Sequence, residues 1–236
     1  MAIVNNHPEE TREALLKTDP KLSTKEVVLD DKYAAVASEA SIQTTKSGLE
    51  ANQHEVTILE TREEALEFLK NLIPKGSSVN NDHSTTLEEI GFIEYLKNAT
   101  EWDNIHAQIL AEKDSVKQIE LRRTKGVTVN YYLSSADAIT ENGVIVRSDY
   151  TRTRVEAWNS GAGKLIIVAG TNKIVKNEQE ANDRVYNYVL KLESARVRLA
   201  YKIPTSNVAN YSIIKGGNPF NPKRVHVIFI KESLGF

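Results

Sequence analysis

Apolar and polar positions follow two rhythms along this chain, and the switches between them predict its elements. Short, largely β-branched runs occur at residues 55–59 (EVTIL), 127–133 (VTVNYYL), 165–169 (LIIVA) and 225–230 (VHVIFI). Runs of that length bounded by turn residues predict strands. Between them apolar residues recur every three or four positions, the period of a helix with one buried face. Leu66, Leu69 and Ile73 form one stripe; Leu87, Ile90, Ile93 and Leu96 form a second. Ala181, Val185, Tyr188 and Val189 form a third, within a helix predicted over 177–192. A further helix is predicted over 113–124 and a short strand over 77–80.

Local signals punctuate this pattern. Thr61-Arg62-Glu63-Glu64 reads as a capping box, with Thr61 serving the amide of Glu64 and the glutamate reaching back. Pro8-Glu9-Glu10 suits a first helical turn, and Asp19-Pro20 ends that helix after about Lys17. A second helix is predicted over about 32–50 from the spacing of Tyr33, Val36, Ala37 and Ala40, with Gly48 leaving its end open. Asn142-Gly143 marks a hairpin tip whose returning arm is 144–147. The 215–219 segment (KGGNP) reads as a surface loop. Strand alternating with helix predicts an α/β fold: a three-layer α/β/α sandwich with a mostly parallel sheet. The runs at 127–133 and 165–169 are expected inside that sheet, because both faces must be covered. Residues 1–53 are expected to form a helical preface packed on a domain spanning 54–236. Packing or a homodimer contact is its expected role, with a lid over a pocket as the alternative.

Composition narrows the function classes. Thirty basic residues face 32 acidic ones, a net charge of −2, so no global field draws nucleic acid or an anionic membrane. There is no cysteine, which excludes disulfides, thiol nucleophiles and thiolate-bound zinc or iron–sulfur clusters within this sequence. No apolar run approaches the roughly 20 residues that span a bilayer. Residues 1–10 lack a basic region followed by an apolar core, so no secretory signal is expected and a cytoplasmic location is the default. No cofactor is expected.

Candidate chemistry gathers where the strands stop. Ser134-Ser135-Ala136-Asp137 follows one core strand, and Gly170-Thr171-Asn172-Lys173 follows another. Open α/β sheets bind ligands beyond the carboxyl ends of their strands. Asp137 can serve as a general base if burial raises its pKa, or cap a turn. Thr140 and Glu141 come one short turn later, where an ordinary hairpin turn is the alternative role. Lys173 can bind an anion, form a Schiff base if desolvated, or pair with a carboxylate. Asn81, Ser84, Thr85 and Thr86 lead into a helix, where free amides and hydroxyls can hold an anion or merely cap the helix. His83 in that loop is a base, a ligand or a solvated residue. Arg152 and Arg154 can form a fork for carboxylate or phosphate, or pair with Glu156 and Asp149. Asp137, Arg154, Asn172 and Lys173 are expected to converge on one pocket.

Several of these runs also resemble a known family. Residues 136–143 (ADAITENG) are similar to the asparagine-alanine-isoleucine-threonine motif of the LUD family (lactate utilisation, formerly DUF162). Residues 170–175 (GTNKIV) are similar to its second signature, and 87–91 and 224–228 match two further patterns. Arg154 matches the arginine of a glycine-asparagine-arginine motif, while Asp137 stands at the family's asparagine. The resemblance implies a fold like that of the NagB, ribose-5-phosphate isomerase and CoA-transferase group. Within such a fold Arg154, Lys173 and the Ser84–Thr86 helix start are expected to hold a small anionic metabolite: a sugar phosphate, a hydroxy or keto acid, or an acyl thioester. The reaction types implied are isomerisation and acyl or CoA transfer. The alternatives are an accessory subunit beside an oxidoreductase and a ligand-binding sensor. Some members resembling this chain carry cysteine-rich cluster extensions, and the electron-transfer role of those extensions has no counterpart here.

Overall fold

The computed structural model describes residues 10–151 and 155–236. Helices α1 (Arg12–Thr18), α2 (Pro20–Ser23) and α3 (Glu39–Ala51) lead into strand β1 (Glu55–Leu59) and helix α4 (Arg62–Leu72). Then come β2 (Ser78–Asn81), α5 (Thr85–Glu89), α6 (Phe92–Asn98), β3 (Asp103–Asn104), α7 (Ile105–Ala111) and α8 (Ser115–Arg123). Strands β4 (Tyr131–Ser134), β5 (Ala138–Thr140), β6 (Ile145–Asp149), β7 (Lys164–Gly170) and β8 (Ile174–Val175) form the middle of the chain. Helices α9 (Glu178–Arg184) and α10 (Leu190–Tyr201), then β9 (Asn210–Ile214) and β10 (Val225–Ile230), complete it.

Six of these strands form a parallel sheet in the order β1-β10-β7-β4-β2-β3. As the apolar runs predict, β4 and β7 lie inside it. Alternation along β7 explains why it carries so little polar character. Ile166 and Val168 face α4, α5 and α6, while Leu165, Ile167 and Ala169 face α3, α7 and the turn at Trp158. Both faces are buried, so both sets must be apolar. The result is the expected α/β/α layering. A second, four-stranded sheet, β8-β5-β6-β9, packs beside it. Its outer core joins Ala138, Val144 and Val146 to Leu15, Leu22 and Tyr33 of the preface and to Val185 and Tyr188.

Several predicted elements change at their boundaries. The helix expected over 32–50 divides into a 3-10 turn, Asp31–Ala34, and α3, with Val36 half-exposed between them. Asp30 and Ser38 cap the two pieces separately, accepting from Lys32 N and Ser41 N. The strand expected over 127–133 starts only at Tyr131. The helix beginning at Thr85 breaks at Gly91, whose φ of 76° is left-handed. Residues 178–201 stay helical through a π-turn at Val185–Val189, so that helix runs beyond 192. The capping box forms one residue out of register. Thr61 Oγ1 accepts from Glu64 N, while Glu64 Oε2 accepts from Glu60 N rather than from Thr61.

Gly48 is not a helix end but a crossing point. A Cβ there would stand 2.5 Å from the carbonyl oxygen of Glu141, in the β5–β6 hairpin. Gly143, at the hairpin tip with φ of 80°, meets the backbone of Gly48 and would bring a Cβ within 2.6 Å of Leu49 N. Backbone lies against backbone, and neither side has a flexible atom to yield. Gly143→Ala should therefore cost roughly 2–3 kcal/mol from left-handed strain and overpacking together. Urea denaturation measures it, and a loss under about 0.5 kcal/mol, the size of an ordinary surface substitution, would show that the crossing relaxes freely.

Candidate functional site

Three adjacent strands, β7, β4 and β2, end side by side, and the chain leaves each of them in polar residues. Their carboxyl ends open onto a cavity of about 700 Å³. Asn80, Asn81 and Asp82 line it from the end of β2, Ser135 from the end of β4 and Lys173 from the turn after β7. Arg147 on β6, Glu193, Arg196 and Tyr201 on α10, His106 on α7 and Arg122 on α8 also line it. Among the described residues no helix is long and apolar enough to cross a membrane.

One wall is a buried charge network. Arg147 Nη1 donates to Asp137 Oδ1 at 3.1 Å, and its Nη2 lies 3.9 Å from Asp82 Oδ2. Asp137 Oδ2 also accepts from Ser148 N and Ser148 Oγ, both at 2.6 Å. Ser134 Oγ donates to Asp82 Oδ2 at 2.5 Å. Burial works against the Arg147 charge, yet Asp137, Asp82 and Asp149 outweigh it and hold its pKa above the ordinary value. Beneath them the fully buried Arg184 donates to the main-chain oxygen of Asp137, and burial pushes its pKa down to about 10.

Lys173 is the second feature. Its side chain is fully buried, and Nζ lies 2.8 Å from Ser135 Oγ, 3.1 Å from Thr86 Oγ1 and 3.2 Å from Phe236 O. Thr86 Oγ1 and Ser135 Oγ are themselves 3.3 Å apart. Burial, with repulsion from Arg184 and Arg147, pushes the Lys173 pKa down to about 7, against the pull of Asp137 and Glu89. The amine therefore changes charge near neutral pH, where an ordinary lysine stays protonated.

Two histidines belong to the same wall. His83 Nε2 lies 2.8 Å from Glu10 Oε2, and burial outweighs that partner, lowering its pKa. His106 Nδ1 lies 3.1 Å from Asn81 O, and burial, helped by Arg122, pushes it down to about 4. Both are neutral at physiological pH. Arg196 is held by Glu193 at 2.7 Å and stands 3.6 Å from Glu10.

The predicted residues divide into four groups. Asp137, Lys173, His83, Asn81, Ser84 and Thr85 line the cavity. Thr86 reaches Lys173, and Ser134 holds Asp82 from behind. Ser84 Oγ accepts from Leu87 N, so it caps α5, a helix of only five residues. The structure does not bring Glu141, Thr140 or Asn172 to the cavity. Glu141 accepts from Ser41 Oγ of α3 at 2.6 Å, because the hairpin tip points toward that helix. Thr140 is enclosed in the hairpin turn, bonded to Asn142 and Val144. Asn172 Oδ1 accepts from Leu234 N and anchors the last residues of the chain. Arg152 and Arg154 lie outside the described residues.

Sequence reasoning missed Arg122, Arg147, Arg196 and His106 and gave Ser135 no role of its own. Arg147 closes an apolar strand pattern and carries no motif. Arg122 sits in a polar helix, where one arginine looks like the next. Arg196 interrupts the apolar face of α10 at a position that is only 4 % exposed. An arginine on a buried helical position is a detectable signal, since such a charge needs a partner.

Fold and site together define an open-sheet α/β protein with a charged cavity at the carboxyl ends of its parallel strands. The chain belongs to the LUD domain family, which matches it over residues 42–230. It is similar to a DUF162 family protein from Deinococcus radiodurans at 12% identity, over 83% of this chain and 99% of that one, with a TM-score of 0.48. Comparison with functionally curated proteins gives no match.

Proposed function

We propose that the cavity binds a small, hydroxylated, anionic metabolite, of the hydroxy-acid or sugar-phosphate kind. One observation carries this reading: Arg122 Nη2 is buried in the cavity wall without a hydrogen-bond partner, alongside the equally unpartnered amide oxygens of Asn80 and Asn81. A guanidinium nitrogen buried without an acceptor among the described residues is costly by itself, and an anion can supply that acceptor. Buried amide oxygens lining the same cavity can accept from hydroxyl groups. The amide nitrogens are already committed, Asn80 Nδ2 to Gly126 O and Asn81 Nδ2 to Asp82 O, so the oxygens are fixed in direction. The cavity volume suits a ligand of this size. Asp137, by contrast, is engaged with Arg147 and Ser148, and its role in this reading is to hold Arg147 in place.

Thermal shift against a panel of hydroxy acids, keto acids and sugar phosphates tests the proposal. A ligand that raises Tm should lose about tenfold or more in affinity in Arg122→Ala, the loss expected for a hydrogen bond to a charged group. The unliganded variant should keep its stability, because Nη2 has no intramolecular bond to lose. A panel without any shift, or equal affinity in the variant, would refute the reading.

A further inference from the structure

We infer that Ser135 and Lys173 form a nucleophile–base pair that takes the acyl group of a small ester or thioester. The inference starts from how the Lys173 amine is surrounded. Its three neighbours, Ser135 Oγ, Thr86 Oγ1 and Phe236 O, satisfy all three donors of an ammonium. The neutral amine is equally satisfied: two N–H donors serve Thr86 and Phe236, and the lone pair accepts from the Ser135 hydroxyl. The proton can therefore pass between serine and lysine without leaving a buried group unpaired. A purely structural lysine needs acceptors only; this one faces a hydroxyl that can reverse its role.

Position and surroundings agree with that reading. Ser135 leaves the end of β4, and Lys173 the turn after β7, where the parallel neighbours bring residues 38 apart in sequence to 2.8 Å. Both line the cavity, and each is 1 % exposed, so an electrophile reaches them only from within it. The charge of Lys173 is destabilised by burial and by Arg184 and Arg147, which suits an amine that must be free to accept a proton. Arg147 Nε is a further buried donor in the same cavity without a hydrogen-bond partner, available to an oxyanion.

The step balances with water as the only co-reactant. Ser135 Oγ bonds to the carbonyl carbon as its proton moves to Lys173 Nζ. The resulting oxyanion collapses, the bond to the alcohol or thiol breaks, and the Lys173 ammonium protonates that leaving group. Water then attacks the acyl-serine, gives a proton to Lys173, and the ammonium returns one to Ser135 Oγ as the acid departs. The anionic character of the natural acyl group rests on the cavity reading given above; the pair itself does not.

The test uses the whole protein and p-nitrophenyl acetate. Acetylation is located by peptide mass spectrometry, and p-nitrophenol release is followed from pH 5.5 to 9. The expected result is an acetyl group on Ser135, formed at a rate that rises through about pH 7 and levels off as Lys173 loses its proton. Ser135→Ala should lose the burst of p-nitrophenol entirely, and Lys173→Met should slow it at least about a hundredfold, the scale of general-base assistance. Circular dichroism and Tm establish that each variant is folded. If Lys173→Met is not, the mapped site and the pH profile of the unmodified protein decide. Absence of acetyl-Ser135 at pH 8, or a rate that stays flat across pH 7, overturns the inference. Arg122-dependent anion binding in an unmodified protein that forms no acetyl-Ser135 would sink the pair and leave the binding reading standing. Acetyl-Ser135 with no anion shifting Tm would do the reverse.

Discussion

Replacing Arg147 with alanine should destabilise the protein by about 3–5 kcal/mol, the usual result of removing one member of a buried ion pair. The Arg147 side chain is 12 % exposed, and those of Asp137 and Asp82 are 3 % and 1 %. Removing the guanidinium leaves the Asp137 carboxylate buried without its nearest cation. The two bonds from Ser148 remain, but neutral donors replace only part of what a cation supplied. Urea denaturation should show a lower midpoint with an unchanged slope. Arg147→Met combined with Asp137→Asn should recover part of the loss, since the nearer of the two carboxylates facing Arg147 is then neutral. A loss below about 1 kcal/mol would mean that the pair behaves like an exposed one and that the network is not held dry. In the folded variant the Lys173 pKa should rise, because Arg147 repulsion is part of what depresses it. The pH profile of Ser135 acetylation should then move upward as well.

Acid should destabilise the fold well before its exposed carboxylates protonate. Burial pushes His106 and His226 down to about 4, with Glu55 opposing the shift at His226, and burial also lowers His54 and His83. The sign follows from linkage. A histidine with a depressed folded pKa binds its proton more tightly in the unfolded chain, so stability falls as pH drops below the unfolded value of about 6.5. The loss accumulates between about 6.5 and 4 and stops once the folded form is protonated too. For His106 and His226 together, roughly 3–5 kcal/mol should disappear between pH 7 and 4.5. His226 is the cleaner probe. It is 1 % exposed on β10, and its Nε2 lies 2.9 Å from Thr57 Oγ1 of β1. Denaturation midpoints measured at half-unit pH steps should follow that course, and His226→Gln should flatten it. Stability that stays level from pH 7 to 5 would contradict the buried-neutral assignment.

Much of the fold is legible in the chain because periodicity reports directly on faces. The run at 165–169 has apolar residues on both alternating faces, and only a strand covered on both sides tolerates that. The Asn142-Gly143 tip is equally readable, since Gly143 takes the left-handed conformation that the hairpin turn needs. The break at Gly91 and the division of the predicted 32–50 helix are less so. Each depends on caps and packing that compete with a weak helical pattern. The second sheet was the larger omission: β8 has two residues, and β9 lies in a segment of mixed polarity whose partner, β6, is more than sixty residues away.

The site divides along the same line. The chain by itself determined that polar residues cluster after two core strands, and that Lys173 and Asp137 stand just past the ends of those strands. It also determined the resemblance to the LUD family. Tertiary structure alone decided which polar residues meet. It put Ser135 against Lys173, set Arg147 between Asp137 and Asp82, turned Glu141 toward α3, and left Arg122 in the cavity wall without a hydrogen-bond partner for Nη2. The physical reason lies in what each kind of group requires. An apolar side chain needs only to leave water, so its spacing along the chain reveals its face. A polar side chain needs a particular partner at hydrogen-bonding distance, and that partner is supplied by a different strand or helix, fixed only when the sheet is assembled.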